Sequence, residues 1–413
     1  MTGSAATGAV HAAVDRCLAA GRSLRAAREE DILHALVATF AALRDPGSVL
    51  GREARALLPE STGLSPENIE WALDAALSRL DDAALHGFAA TRPRDEGRVR
   101  HRPVGLGAVV LSANVFTACV EPVLAALLAR VPLVLKASSR DDVFPRLLAL
   151  AWRDHAGGLA DALEVVSFPR DDHDAEDALL GRAHVAHVYG HDQTLADIRA
   201  RLRATTTFVG HGSGLGAIYV GRDALRSEDA ARTIARAIAD DVAAYDQRGC
   251  LSPHAVWVEP GGAVDGRGLA ELVARAGLEP LARSRPRGAL RTEEGAAQMQ
   301  WRGVATARGE LFEGDGYAVS FEAEGALRLS PGFRNVAVHT AANVNMFGEC
   351  VAQLGAHLKC VGFAGATADE LLAALPANVA PALAATGRMQ RPELGPVADG
   401  QSRWLGFVTS VSV

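Results

Sequence analysis

Long hydrophobic runs are missing from this 413-residue chain. The longest, such as Val104 to Val110 and Val131 to Leu135, have the length of strands and fall well short of the roughly 18 residues a membrane-spanning helix requires. No membrane span is expected. Residues Met1 to Arg16 also lack a basic segment followed by an apolar core, so no secretory leader is expected. Cysteine is sparse: there are five, at positions 17, 119, 250, 350 and 360, an odd number without a C-x-x-C pair. That argues against a disulfide framework or a zinc site, leaves no metal to be expected, and suits a cytoplasmic protein. Positive charge is in deficit too, with 42 Lys and Arg against 49 Asp and Glu and a formal net charge of −7. A general nucleic-acid binder needs a basic face to neutralise phosphates, so that class is set aside. Even Arg199-Ala200-Arg201-Leu202-Arg203 reads as the solvated face of a helix.

What the chain does have is material for a core: 49% of its residues are hydrophobic and 22% charged, the balance of a folded globular protein. Its length exceeds one ordinary core and implies two or three domains.

Val10 to Ala20, Ile32 to Leu43 and Pro66 to Leu85 place apolar residues at three- and four-residue steps and predict an N-terminal layer of helices. Ser65 is a fitting cap and Pro66 a fitting first helical residue. After the polar stretch Thr91 to Arg102 the period changes. Val104 to Leu111 reads as a buried strand, Ser112 to Thr117 as a turn, Ala118 to Ala129 as a helix and Val131 to Lys136 as a second strand. Such a unit implies a right-handed crossover and a parallel sheet, whose ligands gather beyond the carboxyl ends of the strands, where Asn114 and Lys136 fall. A second round follows, with strands at 163–167, 184–189 and 205–209 and helices at 144–156, 175–180 and 194–202. Gly190 opens a turn between strand and helix, where backbone N–H groups could receive a pyrophosphate. Gly210-His211-Gly212-Ser213-Gly214-Leu215-Gly216 is not a dinucleotide fingerprint, because that motif must open a helix and a strand, 217–220, comes next. It reads as a flexible crossing whose reactive side chain is His211.

Cys250 stands apart from the other cysteines. It lies in Asp246-Gln247-Arg248-Gly249-Cys250-Leu251-Ser252-Pro253, a turn between a predicted helix (228–244) and a predicted strand (255–258). Most cysteines are small buried hydrophobes. A thiol on such a turn has a backbone N–H beside it and a cleft above it, which makes Cys250 the candidate nucleophile.

From about residue 100 onward the chain resembles the aldehyde dehydrogenase superfamily, most closely the acyl-CoA reductases of the bacterial luciferase (LuxC) type. Arg102-Pro103-Val104-Gly105, Ser112-Ala113-Asn114, Val134-Leu135-Lys136-Ala137-Ser138, Tyr189-Gly190 and Asp246 to Pro253 carry the resemblance by their order and spacing. It implies an aldehyde-dehydrogenase-like α/β fold with two Rossmann-like parallel-sheet domains. Residues 1–222 would hold the N-terminal helices and the cofactor domain, 223–390 the catalytic domain, and 391–413 a strand returning to the cofactor or oligomerisation region. By the same resemblance Asn114 donates its amide to an oxyanion, Lys136 binds the adenosine ribose, and Ser112 and Gly190 line the cofactor. Glu310 and Phe312 resemble the E-x-F element at the nicotinamide ribose, and His211 the proton-handling histidine, with His254 second.

Two departures carry physical meaning. The carboxylate usual three residues after the lysine is Ser139 here; a carboxylate would repel a 2′-phosphate, whereas Ser138, Ser139 and Arg140 could accept one, which implies NADPH over NADH. The general-base glutamate of hydrolytic members is replaced by the Gly210 to Gly214 stretch, so acyl transfer involving coenzyme A is expected instead of water attack. The implied activity is reduction of an acyl-CoA, of fatty acyl type by resemblance, to an aldehyde through an acyl-Cys250 intermediate. The coenzyme-A-acylating reverse direction, acyl-phosphate reduction and an inert scaffold are the alternatives. The C-terminal run, 404–413, alternates like an exposed edge strand, which invites pairing with another chain. A homo-oligomer is therefore expected, with room for an acyl-activating partner enzyme.

Overall fold

The computed structural model describes residues 3–323 and 326–413. The chain forms two compact units: 1–62, 73–213 and 394–413 make the first, and 63–72 and 214–393 the second.

The first unit is built on five parallel strands in the order Leu163–Ser167, Leu133–Ala137, Gly107–Val110, Val185–Tyr189 and Thr207–His211. Gly107–Val110 and Leu133–Ala137 are buried at every position, as continuous apolar runs in a covered parallel sheet should be. The chain starts at the central strand, adds two strands on one side, then returns to add two on the other. That reversal places a topological switch between Gly107–Val110 and Val185–Tyr189, the position where open α/β sheets bind ligands. Ala6, Val10, Ala13, Val14 and Cys17 of the helix Gly3–Ala26 pack on Ala108, Val134 and Val166 of this sheet.

The second unit has seven strands in the order Ala382–Ala385, Leu358–Ala364, Leu215–Val220, Pro253–Val258, Asn335–Thr340, Tyr317–Glu322 and Glu310–Gly314. Alternate residues face two cores: Ile218, Val220, Val256, Val258, Val336 and Val338 one, Ala217, Tyr219, Ala255, Trp257 and Ala337 the other. All pairings are parallel except the last, where Glu310–Gly314 forms an antiparallel hairpin with Tyr317–Glu322. Its Asp315-Gly316 tip, with Gly316 at φ 80°, has the composition of a tight hairpin.

Several expectations need correction. Pro66 to Leu85 is two helices, Pro66–Leu77 and Asp82–Ala90, the second capped by Asp81, whose carboxylate accepts from the Ala84 N–H at 2.8 Å. The Ser65 cap is present, accepting from the Asn68 N–H at 3.2 Å. His211, placed on a flexible crossing, ends a strand, because the strand expected at 205–209 runs from Thr207 to His211. The C-terminal strand Val408–Ser412 pairs within the chain, antiparallel to Val99–Pro103, a strand hidden in the charged stretch before residue 103. No helix among the described residues is long and apolar enough to cross a membrane.

Candidate active site

The helix Glu228–Ala243 stops at Ala244, and the next three residues enter the left-handed region: Tyr245 at φ 49°, Asp246 at 51° and Gln247 at 62°. None is glycine, and each such residue costs about 1–2 kcal/mol. Three in succession persist only if the surroundings hold them.

They are held by a buried polar network within the second unit. The Asp246 carboxylate accepts from Arg334 Nη2 at 2.7 Å and Nε at 3.0 Å, from Asn68 Nδ2 at 2.9 Å and from the Gly288 N–H at 2.9 Å. Arg334 in turn donates to the carbonyls of Arg285 at 2.6 Å and Pro286 at 3.2 Å. Burial lowers the pKa of its guanidinium, and Asp246 opposes that shift. Gln247 ties the turn to the sheet: its Nε2 donates to the carbonyls of Pro253 at 2.6 Å and Asn335 at 2.8 Å, and its Oε1 accepts from the Asn335 N–H at 3.0 Å. Past this anchor the turn closes with the Ser252 N–H on the Gly249 carbonyl at 3.0 Å, and Cys250 is exposed at its tip. Gly216 lets the turn lie against the neighbouring strand; its N–H donates to the Ser252 carbonyl at 2.7 Å, and a Cβ there would sit 2.5 Å from the Leu251 carbonyl oxygen. The thiol is thus presented at the amino edge of the seven-stranded sheet on a backbone with little freedom. Cys17, Cys119 and Cys360 are buried, and burial raises their thiol pKa.

The other proposed site residues lie mostly along the carboxyl edge of the five-stranded sheet. Val110 is level with Lys136 and Val188, and Tyr189 with His211. Ser112 is half-buried and Asn114 exposed on the bend that follows the central strand. Lys136 is 8% exposed, with its Nζ 5.0 Å from the centre of the Phe168 ring. Burial lowers its pKa, with Glu176 opposing. Ser138 is half-buried, while Ser139 and Arg140 are exposed in the following turn, where the Arg140 N–H donates to Ser138 Oγ at 3.3 Å. Two acidic residues come next in the chain. Asp141 is buried, its pKa raised by burial, and Asp142 lies 3.7 Å from Arg146. Gly190 follows the strand Val185–Tyr189, just before the helix Asp192–Arg201.

His211 has both ring nitrogens engaged: Nδ1 with Asp399 Oδ2 at 3.1 Å and Nε2 with His187 Nδ1 at 3.2 Å. Tyr189 stacks on its ring at 4.2 Å. His254 lies at the start of the strand Pro253–Val258 with Nδ1 donating to the Ser330 carbonyl at 2.9 Å, and burial lowers its pKa. Glu310 is on the edge hairpin of the second unit, both oxygens held by Arg267 at 2.7 Å, and Phe312 lies beneath the same guanidinium at 5.6 Å.

Sequence reasoning did not single out Arg334, Asn335, Asn68, His187 or Asp399. One signal was available for Asp399: Asp399-Gly400 between Val397–Ala398 and Gln401–Ser402 is a two-residue hairpin turn, with φ 51° and 72°. Among the described residues no group of three or more His, Cys, Asp or Glu could hold a metal ion.

The same architecture occurs in solved structures. Aldehyde dehydrogenase 21 from Physcomitrella patens superimposes with a TM-score of 0.71 at 14% identity, over 97% of this chain and 89% of that one. An NAD-dependent aldehyde dehydrogenase from Sinorhizobium meliloti gives 0.73 at 14%, over 99% and 87%. An NAD-dependent benzaldehyde dehydrogenase from Corynebacterium glutamicum gives 0.73 at 14%, over 98% and 90%. The fold is therefore that of the aldehyde dehydrogenases. No curated protein matches the sequence. The family model for acyl-CoA reductase (LuxC) matches residues 54–408, and the chain belongs to that family of oxidoreductases acting on acyl and aldehyde groups.

Proposed function

We propose that this protein reduces an acyl-CoA thioester, of fatty acyl type, to the aldehyde with NADPH, through a thioester on Cys250. The single observation that carries the reading is the exposed thiol on a turn held by buried charge. In this reading the Cys250 thiolate adds to the thioester carbonyl, and Asn114 with the Cys250 N–H hold the oxyanion. The carbon–sulfur bond to coenzyme A breaks, and His211 gives the departing thiolate a proton. When bound, NADPH supplies the hydride. Cys250 is then expelled as thiolate from the tetrahedral carbon, freeing the aldehyde.

The residues present suit a dinucleotide with a 2′-phosphate. Ser112 and Gly190 follow the two strands that flank the switch point, Lys136 lies on the strand on the other side of Gly107–Val110, and Ser138, Ser139 and Arg140 after it offer hydroxyls and a positive charge. Two carboxylates adjoin that positive charge: Asp141, which is buried with its pKa raised by burial, and Asp142, 3.7 Å from Arg146. Incubating the protein with acyl-CoAs of graded length and either reduced cofactor tests the reading. NADPH consumption with aldehyde release is expected, with a KM roughly tenfold or more below that for NADH, about the worth of one charge-assisted hydrogen bond. A clear preference for NADH would sink the cofactor assignment, and no aldehyde from any acyl-CoA would sink the activity.

Asn114→Ala is expected to lower kcat by roughly 10²- to 10³-fold, the cost of one oxyanion donor. The rate of Cys250 alkylation by iodoacetamide should stay at the wild-type value, since the thiol's own turn is untouched. An unchanged kcat would remove Asn114 from the oxyanion role.

A further inference from the structure

His211, His187 and Asp399 form one hydrogen-bonded line inside the first unit, and the partners decide where its protons lie. The Leu405 carbonyl, 3.2 Å from His187 Nε2, can only accept, so that nitrogen carries a proton. His187 is buried, and this burial, with the nearby His211 adding to it, pushes its pKa down to about 3. The ring is therefore neutral and offers a lone pair at Nδ1. His211 Nε2 faces that lone pair and must donate. On its other side His211 Nδ1 faces the Asp399 carboxylate, which can only accept, so it donates as well. Phe407 stacks on His187 at 4.6 Å with planes 7° apart, fixing the ring in this orientation.

We infer that Asp399 and His187 are positioning residues which together hold His211 as the doubly protonated imidazolium. The inference rests on the reading of His211 as proton donor only for its use in the reaction; the charge state follows from the partners. Asp399 supplies the counter-charge, and the hairpin turn at Asp399-Gly400 sets where it points. His187 Nδ1 supplies the acceptor for the His211 Nε2 proton, a weak base that a stronger one, such as a coenzyme A thiolate, can replace. The transfer balances simply: the Nε2 proton goes to the thiolate sulfur, His211 becomes neutral with its remaining proton on Nδ1 against Asp399, and solvent water restores the lost proton after turnover. Among the described residues, the titratable groups near this line include Tyr189, stacked on the ring, and His191 and Asp192, which reach the residues just after His211. His191 Nδ1 is 3.0 Å from Ser213 Oγ, and Asp192 lies beside Gly212.

The experiment is imidazole nitrogen NMR on the full-length protein, with the His211 signals identified by their loss in His211→Gln. In the wild type at neutral pH both His211 nitrogens should report protonation and those of His187 a neutral ring; a neutral His211 overturns the inference without any variant. In Asp399→Asn, which keeps an acceptor oxygen but removes the charge, the His211 titration should move to lower pH, and Asp399→Glu should restore it. A merely structural Asp399 would leave that titration in place. An acid is active only while protonated, so activity is lost as pH rises through its titration; the alkaline limb of kcat should move to lower pH in Asp399→Asn, with kcat at the optimum down roughly tenfold to a hundredfold. If the NMR titration moves while the kcat profile stays, the positioning stands and the reading of His211 as the proton donor falls.

Discussion

Cys250→Ser is expected to abolish acyl-CoA-dependent NADPH consumption, by roughly a thousandfold or more, while leaving the fold intact. Serine fits the same exposed tip of the turn, but its hydroxyl is a far weaker nucleophile than a thiolate. Cys350→Ser should change the rate by less than about twofold, because Cys350 sits half-buried on the helix Val344–Val351 against an apolar core. Native alkylation gives an independent reading. The wild type should take one label rapidly, lose activity in step with it, and lose the rapid label in Cys250→Ser. Residual aldehyde production in Cys250→Ser near the wild-type rate would end the covalent mechanism.

Arg334→Met is expected to destabilise the protein by about 3–5 kcal/mol, the usual cost of stranding one partner of a buried ion pair. Arg334 and Asp246 are 1% and 0% exposed, so solvent cannot take over the lost hydrogen bonds. Asp246 would keep its contacts to Asn68 and Gly288 but lose its counter-charge. The denaturant midpoint should fall accordingly, and Asp246→Asn combined with Arg334→Met should recover much of the loss, since no unpaired charge then remains. A single variant within about 1 kcal/mol of the wild type would mean that the left-handed turn is held by something else. In whatever folded protein the single variant yields, Cys250 alkylation should slow or lose its selectivity over Cys350.

The parallel sheets were legible because Val104 to Leu111 and Val131 to Lys136 are apolar at successive positions, a pattern that few other structures explain. Strand Val99–Pro103 was not, since Val-Arg-His-Arg-Pro carries mostly polar side chains at the surface and is ordered by pairing with residues three hundred positions away. Helix Thr292–Arg308 was equally hidden: only Gln298 and Ala305 are buried, so it has no apolar stripe to find. For the site, Cys250 and its flanking turn could be located by motif. Why the turn holds could not, because the left-handed conformation at Tyr245, Asp246 and Gln247 is imposed by partners near residues 68, 288 and 334. His187 looked like any strand residue until the strand Thr207–His211 was laid beside it.

The segment Leu394–Val413 belongs with residues 1–62 and 73–213, although the whole of 214–393 is synthesised in between. It delivers Asp399, the Leu405 carbonyl, Phe407 against His187, and Trp404 stacked on Phe88 at 4.6 Å. On the ribosome, then, the nascent first unit waits with Phe88 and His187 uncovered until residues 394–407 have followed 214–393 out, and the second unit has every opportunity to mature before it.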